Sequence, residues 1–143
     1  MDGGQSLTTA FIALGSNLGP RSAVFDRAIE LLESEPRLRV VARSSWYETE
    51  PFGQVQPWYL NGVVRVETGL SPLVLLSWLH AVERACGRIR NGVRWGPRVL
   101  DLDLITYGKT RIHTPTIVLP HPGWRRPFVR VPLAEVGGVP VAS

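Results

Sequence analysis

Apolar positions along the chain recur with two periods, close to two residues in some stretches and close to 3.6 in others. Residues 9–14 (TAFIAL) form a short apolar run of strand character, ended by the turn formers Gly15-Ser16-Asn17-Leu18-Gly19-Pro20. From residue 21 to about 34, Val24, Phe25, Ala28, Ile29, Leu31 and Leu32 recur near helical spacing, and Pro36 marks the end of that helix. Residues 38–47 read as a second strand. Residues 48–57 (ETEPFGQVQP), with two prolines and a glycine, read as a long loop before a third strand over 59–67. Ser71 and Pro72 supply an N-cap and a first-turn proline for a helix over 72–86, with Gly87 placed to end it. A stretch rich in Gly and Arg covers 87–97, and residues 99–106 (VLDLDLIT) then alternate between apolar and acidic or polar side chains. The remainder predicts a short strand over 116–119, a proline-flanked loop around His121, and a final strand or turn over 128–136.

This order, βαββαβ with a short C-terminal extension, predicts an α+β domain of ferredoxin-like type with helices packed on an antiparallel sheet. No repeat, low-complexity tract or linker interrupts the 143 residues, so a single domain over 1–143 is expected, with residues 1–8 as a tail. No stretch approaches the roughly 18 consecutive apolar residues of a membrane span, and residues 1–7 lack the basic and apolar regions of an export signal. A soluble cytoplasmic protein with no membrane partner is the expectation. Cys86 is the sole cysteine, which excludes an intrachain disulfide and a Cys-based zinc site.

The net charge of +4 conceals an asymmetry: the chain carries −3 up to Glu83 and +7 from Arg84 onward. A second half of this kind suits an anionic partner, whether nucleic acid, a membrane surface or a polyphosphate ligand.

Chemistry narrows that choice. Asp101 and Asp103, two apart on a strand, lie about 6.6 Å apart on one face, while Leu100, Leu102 and Leu104 fill the other. Such a pair is either the acidic solvent face of an ordinary amphipathic strand or a holder of hard divalent cations for phosphoryl transfer. Just before it, arginines at 84, 88, 90, 94 and 98, with no acid among them and glycines at 87, 92 and 96, form a flexible cationic loop. Cations beside paired carboxylates favour a polyphosphate site over a merely solvated basic loop. Trp95, inside that loop, either folds onto the core or stacks on a planar ligand. Tyr59 and Asn61 share one face of a strand, and Phe128 follows Arg125-Arg126, a set that suits a flat heterocycle. Residues 15–19 match neither a P-loop nor G-x-G-x-x-G, so they read as a tight turn. The three histidines form no zinc-binding pattern.

Taken together, the run Arg94-Trp95-Gly96-Pro97-Arg98-Val99-Leu100-Asp101-Leu102-Asp103, preceded by Glu83 and Gly87-Arg88-Ile89-Arg90, closely resembles the signature of 6-hydroxymethyl-7,8-dihydropterin pyrophosphokinases. Gly15 to Gly19, Tyr59-Leu60-Asn61 and Pro120-His121-Pro122 match the same family in the same order, and the resemblance extends from Thr9 to Glu135. It implies transfer of the β,γ-diphosphate of ATP to the pterin hydroxymethyl group, with release of AMP, in folate synthesis. By the same resemblance Asp101 and Asp103 would hold two Mg²⁺ ions, and Arg88 and Arg98 would neutralise charge on the transferred group. Glu83, Arg90, Trp95, Leu104, His121 and Arg126 would complete the ATP site. Tyr59 and Phe128 would sandwich the pterin, Asn61 would read its edge, Thr49 and Phe52 would add loop contacts, and Trp95 would close over it. A monomer acting on small molecules, with no nucleic-acid partner, is implied.

The chain departs from better-known members at Asn91, where a lysine often lies, at His80, where a glutamine often lies, and at Pro122, where an aromatic often follows the histidine. Two other readings compete: a catalytically silent homologue that senses pterin or nucleotide, and an RNA-binding domain. The retained Asp101, Asp103, Arg88 and Arg98 argue against the first. Two carboxylates on the would-be contact face, and the lack of an RNP-type aromatic run, argue against the second.

Overall fold

The apolar run near the N-terminus lies at the centre of the sheet, with a neighbour on each side and a packed layer on each face. In the computed structural model, which describes residues 6–17, 21–50, 58–87 and 99–138, it forms β1 (Thr8–Ser16). One edge of β1 pairs antiparallel with β4 (Tyr59–Thr68), the other with β5 (Asp101–Tyr107). β2 (Leu38–Arg43) and β3 (Tyr47–Thr49) both pair antiparallel with β4, giving the order β2-β4-β1-β5 with β3 beside β4. Helices α1 (Arg21–Glu33) and α2 (Pro72–Ala85) make the crossovers, as the βαββαβ reading expects. β1 begins at Thr8, inside the segment expected to be a tail.

Alternation divides β1 between two cores. Ala10, Ile12 and Leu14 face Phe25, Ala28 and Leu32 of α1 and Leu75, Leu79 and Val82 of α2, together with Val64, Val66, Leu102 and Leu104. Phe11 and Ala13 face the other way, with Val63, Ile105, Val129, Leu133 and Val136. The second cluster depends on a helix, α3 (Pro127–Glu135), where the sequence pattern suggested a strand or turn. Val129, Leu133 and Val136 are spaced four and three apart, the helical period, and Pro127 stands at the first helical position. The β-branched valines and the interior Pro132 obscure that period.

Three other boundaries shift. The strand expected over 38–47 breaks at Ser44, whose backbone N–H donates to the Val63 carbonyl at 2.9 Å while its hydroxyl accepts from the Val63 N–H at 2.9 Å. Glu48 and Thr49 therefore leave the expected loop for β3, and residues 51–57 lie outside the described residues. On β5 a bulge lies between the pairs Ile12–Leu104 and Phe11–Thr106: Ile105 keeps to the α3 side, the face of Asp101 and Asp103, and the alternation breaks after it, where Thr106 pairs with Phe11 of that same side. The strand expected over 116–119 narrows to β7 (Val118–Leu119), paired with β6 (Ile112–His113). A 3₁₀ turn (Pro122–Arg125) follows His121. Among the described residues no helix is long and apolar enough to cross a membrane.

Candidate active site

The carboxylate pair sits on an edge strand braced from behind. Asp101 pairs with Gly15 and Asp103 with Ala13 on the face away from α1 and α2, while Leu102 and Leu104 are buried against those helices. β5 has no neighbour on its outer edge in the main sheet, so its outward N–H groups need other acceptors. Glu83 of α2 supplies one: its side chain is only 3% exposed, and Oε2 accepts the Leu102 N–H at 2.8 Å. A buried carboxylate thus fixes the backbone between the two aspartates, a charge-assisted bond of the stronger kind. The resemblance gave Glu83 to the nucleotide; in the structure one of its oxygens supports the strand that carries the acids.

His121 approaches the same pair from the loop after β7. Its backbone N–H donates to the Ile105 carbonyl at 2.8 Å, which holds the loop against β5. Its Nδ1 accepts the Gly123 N–H at 2.9 Å and caps the 3₁₀ turn. With Nδ1 an acceptor, the ring proton belongs on Nε2. Nε2 lies 3.8 Å from Asp103 Oδ1, too far for a hydrogen bond, and the Asp103 side chain is 55% exposed. The Nε2–H is therefore presented to whatever binds at Asp103.

Two strands away stand the residues expected to read a heterocycle. Asn61 pairs with Gly15 on one side and Tyr47 on the other, so Tyr47, Asn61, Gly15 and Asp101 form one row across the sheet. The next row along the same face holds Val63, Ala13 and Asp103. Asn61 is buried, and its Nδ2 donates to Thr49 Oγ1 at 2.7 Å. Its Oδ1 faces Gly15, where an added Cβ would lie 3.7 Å away. Tyr59 pairs with Thr49 on the same face. The residues between the acids and the amide are thus Gly15 and Ala13, the two smallest side chains available. Gly15, which is half-buried, floors a trough about 10 Å wide, two strand spacings, while Ala13 beside it is buried in the cluster against α3. Gly15 was read as part of a turn; β1 in fact runs through it to Ser16.

The other expected site residues divide by position. Phe128, on α3, packs beside the cluster on the trough's face, with the Arg126 guanidinium 6.0 Å from its ring centroid. Leu104 does not share the acids' face: its side chain is 3% exposed in the core under α1 and α2, which leaves only its backbone for a nucleotide. Phe52, Arg88, Arg90, Trp95 and Arg98 lie outside the described residues.

Among the described residues no cluster of three His, Cys, Asp or Glu side chains is arranged to hold a metal ion. Two neighbouring carboxylates nevertheless fit Mg²⁺, a hard ion that keeps several waters and binds through one or two carboxylates plus substrate phosphates. Carboxylate oxygens at one end of the trough and an amide with aromatics at the other can hold a metal–polyphosphate and a planar heterocycle side by side.

Comparison with known proteins shows the family and the fold. The model of the family 7,8-dihydro-6-hydroxymethylpterin-pyrophosphokinase (HPPK) matches residues 11–138. The chain is 45% identical over 132 residues to the 2-amino-4-hydroxy-6-hydroxymethyldihydropteridine pyrophosphokinase of Methylorubrum extorquens, covering 91% of this chain and 83% of that one. It is 42% identical over 129 residues to the enzyme of the same name from Bacillus subtilis, covering 89% and 77%. In fold it resembles the crystal structure of Plasmodium falciparum HPPK-DHPS with pteroate, with a TM-score of 0.71 at 12% identity. That match covers 92% of this chain and 39% of the longer one, and it is a likeness of fold alone.

Proposed function

Since the chain belongs to the 7,8-dihydro-6-hydroxymethylpterin-pyrophosphokinase family, we propose that its trough binds ATP beside 6-hydroxymethyl-7,8-dihydropterin and transfers the β,γ-diphosphate, releasing AMP. The chain is a pyrophosphokinase of folate biosynthesis. The pterin hydroxymethyl oxygen forms a bond to the β-phosphorus as the bond from that phosphorus to the α-phosphate oxygen breaks. The electron pair leaves on AMP, and the hydroxyl proton passes to water.

Such a transfer needs positioning and charge neutralisation rather than a protein nucleophile. Two Mg²⁺ ions, when bound at Asp101 and Asp103, supply neutralisation of the triphosphate. Glu83 keeps the acid-bearing strand in place through Leu102. His121 donates its Nε2–H to a phosphate oxygen, and Arg88, Arg90, Arg98 and Arg126 add cationic donors. At the other end Tyr59 and Phe128 sandwich the pterin, with Phe52 and Trp95 closing around it. Because Thr49 already accepts from the Asn61 Nδ2, the Asn61 Oδ1 is left to accept from a pterin N–H. The catalytic unit is the monomer, and its compartment is the cytoplasm.

The observation that carries this reading is the single sheet face on which Asp101 and Asp103 stand across Gly15 and Ala13 from Asn61. Asp103→Ala tests it. Because the Asp103 side chain is more than half exposed, the variant is expected to fold normally by circular dichroism and to lose turnover. Retained turnover would remove the acid pair from the reaction.

A further inference from the structure

We infer that Glu135, the last residue of α3, is a positioning residue that sets the pterin-binding wall built by β3 and β4; this rests on the pterin placement proposed above. Glu135 lies in the segment expected to be a strand or turn, which the structure makes a helix.

Both of its carboxylate oxygens have partners on the far side of the sheet's edge. Oε2 accepts the Ser45 N–H at 3.0 Å and the Ser45 hydroxyl at 2.7 Å, and Oε1 accepts the Tyr47 hydroxyl at 2.7 Å. Ser45 and Tyr47 flank Trp46 where the chain leaves β2 and enters β3. Trp46 packs the other way, edge-on to Phe25 with ring centroids 4.9 Å apart. β3 is three residues long and pairs with β4 through Tyr47–Asn61, Glu48–Leu60 and Thr49–Tyr59. So short a strand has little hold of its own, and Glu135 and Trp46 grip its entry from opposite faces. The strand delivers Thr49, whose hydroxyl orients Asn61.

Phe128 stands near the start of the same nine-residue helix, about 10 Å along its axis from Glu135. One helix therefore joins the pterin's aromatic cover to the strand that orients its amide reader. A carboxylate at a helix C-terminus is also disfavoured by the helix dipole, so its place here is explained by the partners it reaches. The hydrogen bonds from Ser45 and Tyr47 hold the Glu135 carboxyl below its usual range. Arg65 reinforces the joint by donating to the Val136 carbonyl at 3.1 Å.

The experiment compares Glu135→Ala, Glu135→Gln, Tyr47→Phe and Asn61→Ala with the parent chain. It measures pterin affinity by fluorescence titration, KM for each substrate, kcat, and the folded state by circular dichroism. Glu135→Ala is expected to weaken pterin binding and raise pterin KM about tenfold while leaving ATP KM within about twofold. Glu135→Gln keeps an acceptor and is expected to recover most of that loss, and Tyr47→Phe is expected to shift pterin KM about threefold, which decides the matter if Glu135→Ala fails to fold. Unchanged pterin affinity in Glu135→Ala, with Asn61→Ala impaired, overturns the role of Glu135 and leaves the pterin placement standing. Equal weakening toward ATP and pterin overturns it too, as a general defect. Unchanged pterin affinity in Asn61→Ala overturns the placement, and the inference with it.

Discussion

Asn61 and Asp101 pair with the two sides of one residue, Gly15, so the amide and the carboxylate face each other across a position with no side chain. That gap is the narrowest statement of how the sheet makes room for two substrates. A branched side chain there fills it. Gly15→Ala is expected to be tolerated, because its Cβ meets only Asn61 Oδ1 at an ordinary 3.7 Å. Gly15→Val is expected to fold and to raise pterin KM at least about tenfold by excluding the ring. Steady-state kinetics at saturating ATP checks this, and an unchanged KM would mean the pterin lies elsewhere.

Glu83 offers a separable test of how the acids are held. Glu83→Ala leaves the Leu102 N–H without its buried acceptor, at a cost of about 1–3 kcal/mol. Turnover is expected to fall with it, while Glu83→Gln, which retains a carbonyl oxygen, is expected to keep more of both. Urea unfolding alongside AMP release measures the pair. Full stability in Glu83→Ala would contradict the bracing role.

Gly62 is required by its neighbour rather than by its backbone. Trp46 lies so close over it that a Cβ at position 62 would overlap the indole ring. Gly62→Ala is expected to destabilise the domain by about 1–3 kcal/mol, as overpacking does. Adding Trp46→Leu to Gly62→Ala is expected to cost less than the sum of the two single changes, because the smaller side chain clears the overlap. Simple additivity by thermal unfolding would argue against a direct clash.

The joint around Glu135 has a pH signature whose sign follows from its hydrogen bonds. Ser45 and Tyr47 lower the Glu135 pKa from its usual 4.5, so the carboxylate's contribution is fully present above that value and is lost as pH falls through the lowered one. The Tyr47 hydroxyl is raised from its usual 10.0 by the same carboxylate, so its contribution is present below 10 and is lost above. Between those limits the difference in melting temperature between the parent chain and Glu135→Gln is expected to be flat, and to shrink as pH falls below the usual 4.5. Arg65 touches only the neighbouring carbonyl of Val136 in this joint. A difference that grows on acidification would contradict this.

What the sequence made legible follows its periods. β1, α1, β4 and α2 each show one clear repeat with capping or turn residues at the ends, and the Asp101–Asp103 alternation held because Leu102 and Leu104 had a core to fill. α3 was hidden because Val129, Val131 and Pro132 are residues of strands and breaks, and only packing against Phe11 and Val63 makes the segment a helix. The end of β2 depends on a serine that exchanges hydrogen bonds with Val63 some twenty residues away, which no local pattern encodes. Glu83 was expected only in the ATP site that the resemblance implies, and Glu135 in no site. Their value comes from single long-range acceptors, to Leu102 and to Ser45 with Tyr47. Gly15 looked like turn chemistry because it stands beside other turn formers, while its function as the floor of the trough needs both neighbouring strands to be seen.

The most direct test of the central claim is to incubate the purified protein with ATP, Mg²⁺ and 6-hydroxymethyl-7,8-dihydropterin and to follow the nucleotide and pterin products together. The account predicts AMP and pterin diphosphate in equal amounts, each dependent on both substrates. Release of ADP, or AMP that forms without pterin, would contradict it.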